Sequence, residues 1–318
     1  MNEQSRTSID VVALGGNAII PAGGKGTIDE QRELTSTTMR QVAELIASGR
    51  HVLLTHGNGP IVGNIVERND AVKDRIPPMP LDVCGADSQG GIGYMIQQSL
   101  SNELKGRGIE RQVVSLVSQV LVSGDDEAFQ NPTKPVGPFY SREEASARER
   151  EKGWIMRNDA DRGFRRVVPS PKPLEIVEAG VISRLLDVGV VVIAAGGGGI
   201  PVVRKDGRLI GVEAVIDKDR AAAVLALNAG AERLIILTDV EEVYIGFGTP
   251  DQKPIDRISL PEIEKLLAGG EFPSGSMGPK IGAAVDFLRA GGKEVIISHA
   301  RKLVDACEGK AGTHILPA

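Results

Sequence analysis

Cysteine is almost absent from this chain. Cys84 and Cys307 are the only two in 318 residues, too few for a disulfide framework and without metal-ligand spacing, so buried structural thiols are expected. Long apolar runs are missing as well, because glycine or charge interrupts each one, and the polar opening Met1-Asn2-Glu3-Gln4-Ser5-Arg6 has no signal-peptide pattern. A cytoplasmic location with no membrane partner is the expectation. Positive charge is not in surplus. A formal net charge of -5 argues against a protein whose main task is gripping nucleic acid, and it requires any anion site to be local. Histidine is sparse: His51, His56, His299 and His314 share no metal spacing, and His56 beside Gly57 fits a hydrogen bond within a turn. Aromatics make up only 3% of the residues, whereas glycine numbers 39. Outside a collagen repeat or a linker, that much glycine goes with many tight βα turns.

What is present alternates between two periods. Ile9-Asp10-Val11-Val12-Ala13-Leu14 reads as a buried strand that breaks at Gly15-Gly16-Asn17. Thr27-Ile28-Asp29-Glu30 has capping-box spacing, and Met39, Val42, Leu45 and Ile46 follow at helical intervals up to Gly49. A strand from His51 to Thr55 closes a βαβ unit and runs into Gly57-Asn58-Gly59. A helix follows, then the cluster Pro77-Pro78-Met79-Pro80, then a long helical pattern from about Asp82 to Lys105. The run from Gln112 to Val122 predicts one strand. From Gly124 to Pro173 prolines and aromatics concentrate, a charged run extends from Arg142 to Lys152, and no helix-strand alternation is visible. A segment of that length is expected to be an inserted lid subdomain. Alternation resumes with a helix from about Leu174 to Leu186 capped by Gly189, then a strand from Val190 to Ala195 ending in Gly196 to Gly199. A hairpin turning at Asp206-Gly207, a helix starting near Asp219 and a strand from Leu234 to Thr238 follow. Helices over 261–267 and 280–289, and strands over 295–298 and 313–316, complete the chain. Strands separated by helices and short glycine turns give a mostly parallel sheet covered on both faces, with ligands at the carboxyl ends of its strands.

Three glycine-rich turns follow three of these strands: Gly15-Gly16-Asn17, Gly57-Asn58-Gly59 and Gly196 to Gly199. Each lets backbone N–H groups approach an anion at a helix start. One such turn alone is no more than a tight connection, but three on one sheet edge point to an anion site. None is a Walker A loop, since no Gly-Lys-Ser/Thr follows, and Pro201 opens a hairpin where a dinucleotide fingerprint needs a helix. No Gly-x-Ser-x-Gly elbow supports acyl chemistry. Phosphoryl transfer needs positive charge on the migrating group, and three lysines occupy distinctive positions. Lys218 lies between Asp217 and Asp219, where carboxylates can orient it and Asp219 can cap the coming helix. Lys280 follows Gly275-Ser276-Met277-Gly278-Pro279 at a helix start, and Lys134 sits among prolines in the lid segment. Taken singly, each lysine reads first as a solvated surface charge and each aspartate as a cap.

Together these segments resemble the amino-acid kinase superfamily, and within it the carbamate kinases, along nearly the whole chain. The resemblance is carried by Ala13 to Ala18, Thr55 to Pro60, Met79 to Ala86, Asn131 to Phe139, Ala194 to Pro201, Ile216 to Asp219 and Gly275 to Lys280. Many superfamily members have a lysine two residues before the first Gly-Gly pair. Ala13 holds that place here, as in carbamate kinases, whose lid lysine is matched by Lys134. The resemblance implies an α/β fold, a three-layer αβα sandwich with an open, mostly parallel central sheet and a small protruding lid subdomain. It also implies a homodimer and the Mg²⁺-dependent interconversion of ADP plus carbamoyl phosphate with ATP plus carbamate, running mainly toward ATP in amino-acid, including arginine, or purine catabolism. One amino-acid kinase domain would cover 1–318, with an acid-binding half over about 1–190, including a lid over about 124–173, and a nucleotide-binding half over about 190–318. By match, Gly15, Gly16, Asn17, Gly57, Asn58 and Gly59 would cradle carbamoyl phosphate. Lys134, Lys218 and Lys280 would neutralise the transferring group, and Asp219 would orient the lysines. Asp217, Asp239, Tyr244, Met277 and Gly278 would contact the nucleotide, and no metal ligand is assigned to the protein. Ile61, Asp87 and Glu242 stand where glutamine, methionine and glycine are usual. A kinase for another small carboxylate or phosphonate, and an idle metabolite sensor, are the alternatives on the same scaffold.

Overall fold

The structure, a computed structural model, describes residues 8–20, 24, 26–159, 162–273 and 275–317. Strand β1 (Ile9–Leu14) leads through a short 3₁₀ turn to α1 (Ile28–Ala47), whose first turn is closed by the Thr27/Glu30 capping box. β2 (His51–His56), α2 (Ile61–Ala71) and the long α3 (Leu81–Gly106) follow. Next come β3 (Val113–Ser115), β4 (Gln119–Val122), β5 (Lys134–Tyr140), α4 (Arg142–Lys152), β6 (Ile155–Asn158), β7 (Phe164–Val168) and β8 (Pro173–Ile176). The second half runs α5 (Ala179–Asp187), β9 (Val191–Ile193), the hairpin β10 (Ile200–Lys205) and β11 (Arg208–Gly211), then α6 (Lys218–Ala229) and β12 (Arg233–Thr238). It ends with β13 (Val243–Ile245), β14 (Lys253–Ile255), β15 (Arg257–Ser259), α7 (Leu260–Ala268), α8 (Met277–Arg289), β16 (Glu294–His299), α9 (Leu303–Cys307) and β17 (Thr313–Leu316).

The central sheet has the order β15-β17-β16-β12-β1-β2-β9-β3, and β3 through β16 run parallel. Because side chains alternate along a strand, each strand serves two cores. Val12, Leu14, Val52, Leu54, Ile235 and Leu237 pack with α1 and α3, whereas Val11, Ala13, Leu53, Leu234 and Ile236 pack with α5, α6 and α8. The result is the expected three-layer sandwich. Among the described residues no helix is long and apolar enough to cross a membrane.

Three elements differ from the sequence expectation. The run from Gln112 to Val122 is two strands in two sheets: β3 ends the central sheet, and β4 joins β10, β11 and β8 in a second one. The break falls at Ser118, whose N–H donates to the Gln89 side chain of α3 at 2.8 Å, while its carbonyl accepts from the Gln89 amide at 3.0 Å and from the Ile200 N–H of β10 at 2.9 Å, which turns the chain into the second sheet. The stretch expected to start a helix at Leu174 is instead β8, antiparallel to β4. Glu178 binds both the backbone N–H and the side-chain amide of Gln119, at 2.7 and 2.9 Å, so helix α5 starts only beyond it. Finally, the 124–173 segment does contain a helix. α4 carries a Ser141/Glu144 capping box and ends at Gly153, and with the small sheet β5-β7-β6 it forms the lid subdomain. Only Ala145 of α4 is buried, which is why no apolar period marked it.

Candidate active site

The turns after β1, β2 and β9 come from neighbouring parallel strands and meet at one sheet edge. Gly16, Gly57, Asn58, Gly59 and Gly197 line a cavity of about 270 Å³ there. The turns are pressed together: a Cβ on Gly16 would lie 2.8 Å from the Gly59 carbonyl oxygen, so only glycine fits. Gly15 stands behind this wall, against the Leu237 carbonyl, and is not part of the lining. Asn17 is in the 3₁₀ turn, and its side chain lies outside the described residues.

Lysines from three elements converge on this cavity. Lys134 opens β5 in the lid, Lys218 opens α6, and Lys280 lies in the first turn of α8. Lys218 Nζ donates to Asp219 Oδ1 at 2.5 Å and Lys280 Nζ to Asp219 Oδ2 at 3.0 Å, so one buried carboxylate spaces two ammonium groups. Lys134 Nζ donates to Asp217 Oδ2 at 2.7 Å. The cap of α6 is therefore Asp217, not Asp219. Asp217 Oδ1 accepts from the N–H groups of Asp219 and Arg220, and its other oxygen holds the lid lysine.

The electrostatics follow from burial. Desolvation pushes the Asp219 carboxyl up, but Lys218 and Lys280 outweigh it and hold it below its ordinary range. Asp217 is likewise opposed by burial, yet Lys134 and Lys218 bring it down to about 2. Lys218 is lowered, chiefly by desolvation and further by Lys280, while Asp219 favours its charged form. His56, buried at the end of β2, is lowered to about 4, mainly by desolvation. Its Nδ1 pairs with the Gly57 carbonyl oxygen at 2.9 Å, the turn hydrogen bond expected from sequence.

Sequence reasoning missed Arg165 of β7, which also lines the cavity. Nothing in the arginine-rich run over 162–166 distinguished it, because its position depends on a lid sheet whose strands were not legible. With it, four cations face Asp217 and Asp219, a formal surplus of two positive charges.

A second, apolar cavity of about 90 Å³ is lined by Asp239, Val240, Glu242, Tyr244, Phe247, Phe272 and Met277. It shares Ser276 with the first cavity. Of the expected nucleotide contacts, Asp239, Tyr244 and Met277 meet here, and Asp217 lies in the first cavity. Gly278 lines neither and packs in the first turn of α8 near the Pro273 carbonyl. Ile61 is half-buried against the core that holds α1 and α3 and does not line the cavity, although its neighbours Pro60 and Val62 do. Among the described residues no three His, Cys, Asp or Glu side chains are grouped to hold a metal, and both cavity carboxylates are engaged by lysine. That donor set suits a Mg²⁺ ion carried on nucleotide phosphates rather than one caged by side chains.

A parallel sandwich with glycine turns and convergent lysines at its carboxyl edge defines the class. A model of the amino acid kinase family matches residues 9–299. The carbamate kinase of Pyrococcus horikoshii is 52% identical over 309 residues, covering 96% of this chain and 98% of that protein. That of Pyrococcus furiosus is 51% identical with the same coverage. The structure of carbamate kinase from Giardia lamblia bound to AMP-PNP matches with a TM-score of 0.92 at 46% identity, covering 98% of this chain and 99% of that one. The chain belongs to the amino acid kinase family and, within it, to the carbamate kinases. Its class of reaction is phosphoryl transfer.

Proposed function

We propose that the protein moves the phosphoryl group of carbamoyl phosphate onto ADP, and back, in the cavity where Lys134, Lys218 and Lys280 converge. The convergence of three lysines from separate elements on two aspartates at the start of α6 is the observation that carries this reading. The turns holding Gly16, Gly57, Asn58 and Gly59 seat the carbamoyl phosphate, with Gly15 and Asn17 shaping the first turn. The halves divide near residue 190. The apolar slot of Tyr244 and Met277 takes the nucleotide base, and Asp239 and Gly278 belong to that half. Ser276, common to both cavities, lies where the phosphate chain would pass.

Transfer breaks the bond between phosphorus and the carbamoyl oxygen and forms one to a β-phosphate oxygen of ADP. Carbamate leaves as an anion of modest basicity, so no proton has to move. What the reaction demands is compensation of the charge spread over the equatorial oxygens. Lys218 and Lys280 supply it while Asp219 holds their spacing, and Lys134 adds a third cation from the lid. Mg²⁺ bound on the nucleotide phosphates supplies further neutralisation there. A homodimer and a cytoplasmic location belong to the same reading. The test is ATP formation by the purified protein from ADP, Mg²⁺ and a panel of acyl phosphates. Carbamoyl phosphate is expected to give the highest kcat/KM. Preference for another acyl phosphate would reassign the acid, and silence with ADP still bound would make the protein a sensor.

A further inference from the structure

We propose that Arg165 is a positioning residue for the acid half: its guanidinium fastens a bulge in β5 and thereby sets where the lid, with Lys134, stands over the carbamoyl phosphate. The inference rests on the substrate assignment above.

Strands β5 and β7 pair at Val136 with Arg166 and at Tyr140 with Phe164, so four steps on one strand match two on the other. Gly137, Pro138 and Phe139 therefore leave the ladder as a bulge. Arg165 lies opposite them. Its Nε and Nη2 both donate to the Gly137 carbonyl oxygen, at 3.1 and 2.9 Å, and replace the ladder bond that the bulge removes. A charged donor makes this a stronger tie than an amide would.

The fastened bulge is also where the lid rests on the body. A Cβ on Gly63 of α2 would lie 2.6 Å from the Gly137 Cα, so two backbones touch there. Lys134 is three residues upstream on the same strand, and its Nζ reaches Asp217. Any slackening of the bulge is thus transmitted to the lid lysine. The guanidinium packs over the Phe139 ring, 5.1 Å from its centroid, with Asp159 Oδ2 4.0 Å from Nη1. Desolvation lowers the Arg165 pKa against the pull of Asp159, in keeping with a cation half-withdrawn from water at the cavity wall. Its hydrogen-bond acceptor is a neutral carbonyl, and Asp159, its more distant ion-pair partner, is shared with Arg162, so part of its charge is left to draw an anionic substrate.

The experiment compares the full-length wild type with Arg165→Ala and Arg165→Lys, titrating carbamoyl phosphate and ADP separately. Arg165→Ala is expected to lower kcat/KM for carbamoyl phosphate by about 10- to 100-fold while ADP affinity stays within about twofold. Added guanidinium ion, but not ammonium, is expected to recover part of the loss. Arg165→Lys keeps the charge but not the two-pronged tie and should fall between. Equal loss toward both substrates, no recovery with guanidinium, or wild-type behaviour of either variant would overturn the inference. A wild type that ignores carbamoyl phosphate would instead defeat the substrate assignment, before any variant is compared.

Discussion

His56 is buried one residue before the Gly57 turn, and the glycine at 196 leaves room for its ring. Desolvation, with Lys218 adding to it, depresses its pKa from 6.5 to about 4. Between those values the unfolded chain takes up a proton that the folded chain does not. The stability this neutral imidazole contributes is therefore complete above about pH 6.5 and is lost as pH falls toward 4, by on the order of 3 kcal/mol. Denaturant unfolding of the wild type and His56→Asn across that window should show the steeper decline in the wild type. Parallel curves would contradict the burial argument. At this scale the sequence was informative wherever a side chain meets its near neighbours. Lys218 between two aspartates and His56 beside Gly57 were legible. The division of labour between Asp217 and Asp219 was not, because it depends on Lys134 and Lys280, distant in the chain, arriving at opposite carboxylates. Arg165 was invisible for the same reason.

Elements were readable where an apolar period reports burial. β1, β2, β12 and β16 each carry three or four consecutive apolar residues inside a parallel sheet, and α1 shows both a cap and a period. The misread elements are those held by side chains from elsewhere: Gln89 splits β3 from β4, Glu178 delays α5, and the polar α4 buries almost nothing. The lid seats on α2 through Gly63 against Gly137, and ion pairs of Lys152 with Asp70 and Arg148 with Glu67 flank that contact. Gly63→Ala inserts a methyl group between two backbones that cannot both keep their places. Displacement of the lid by even 1 Å is expected to cut carbamoyl phosphate turnover by roughly 10²-fold. ADP binding, measured by calorimetry, should be unchanged. A weakened ADP site would show instead that the substitution disturbs the whole molecule.

Over the whole molecule, both halves of the chain contribute residues to one cavity at the sheet edge. Turns after β1 and β2 with the lid form one wall, α6 and α8 bring the ammonium groups, and the slot beyond Ser276 adds an apolar berth. In the proposed reaction, positive charge placed by Asp219 drives transfer between two bound anions. The measurement that tests it most directly is ATP formation from carbamoyl phosphate and ADP by Lys218→Ala, with the ADP dissociation constant and the thermal unfolding curve recorded on the same preparation. kcat is expected to fall by roughly 10²- to 10³-fold or more, with ADP still bound and the fold intact. Near-normal turnover by a folded Lys218→Ala protein would contradict that role of the charge.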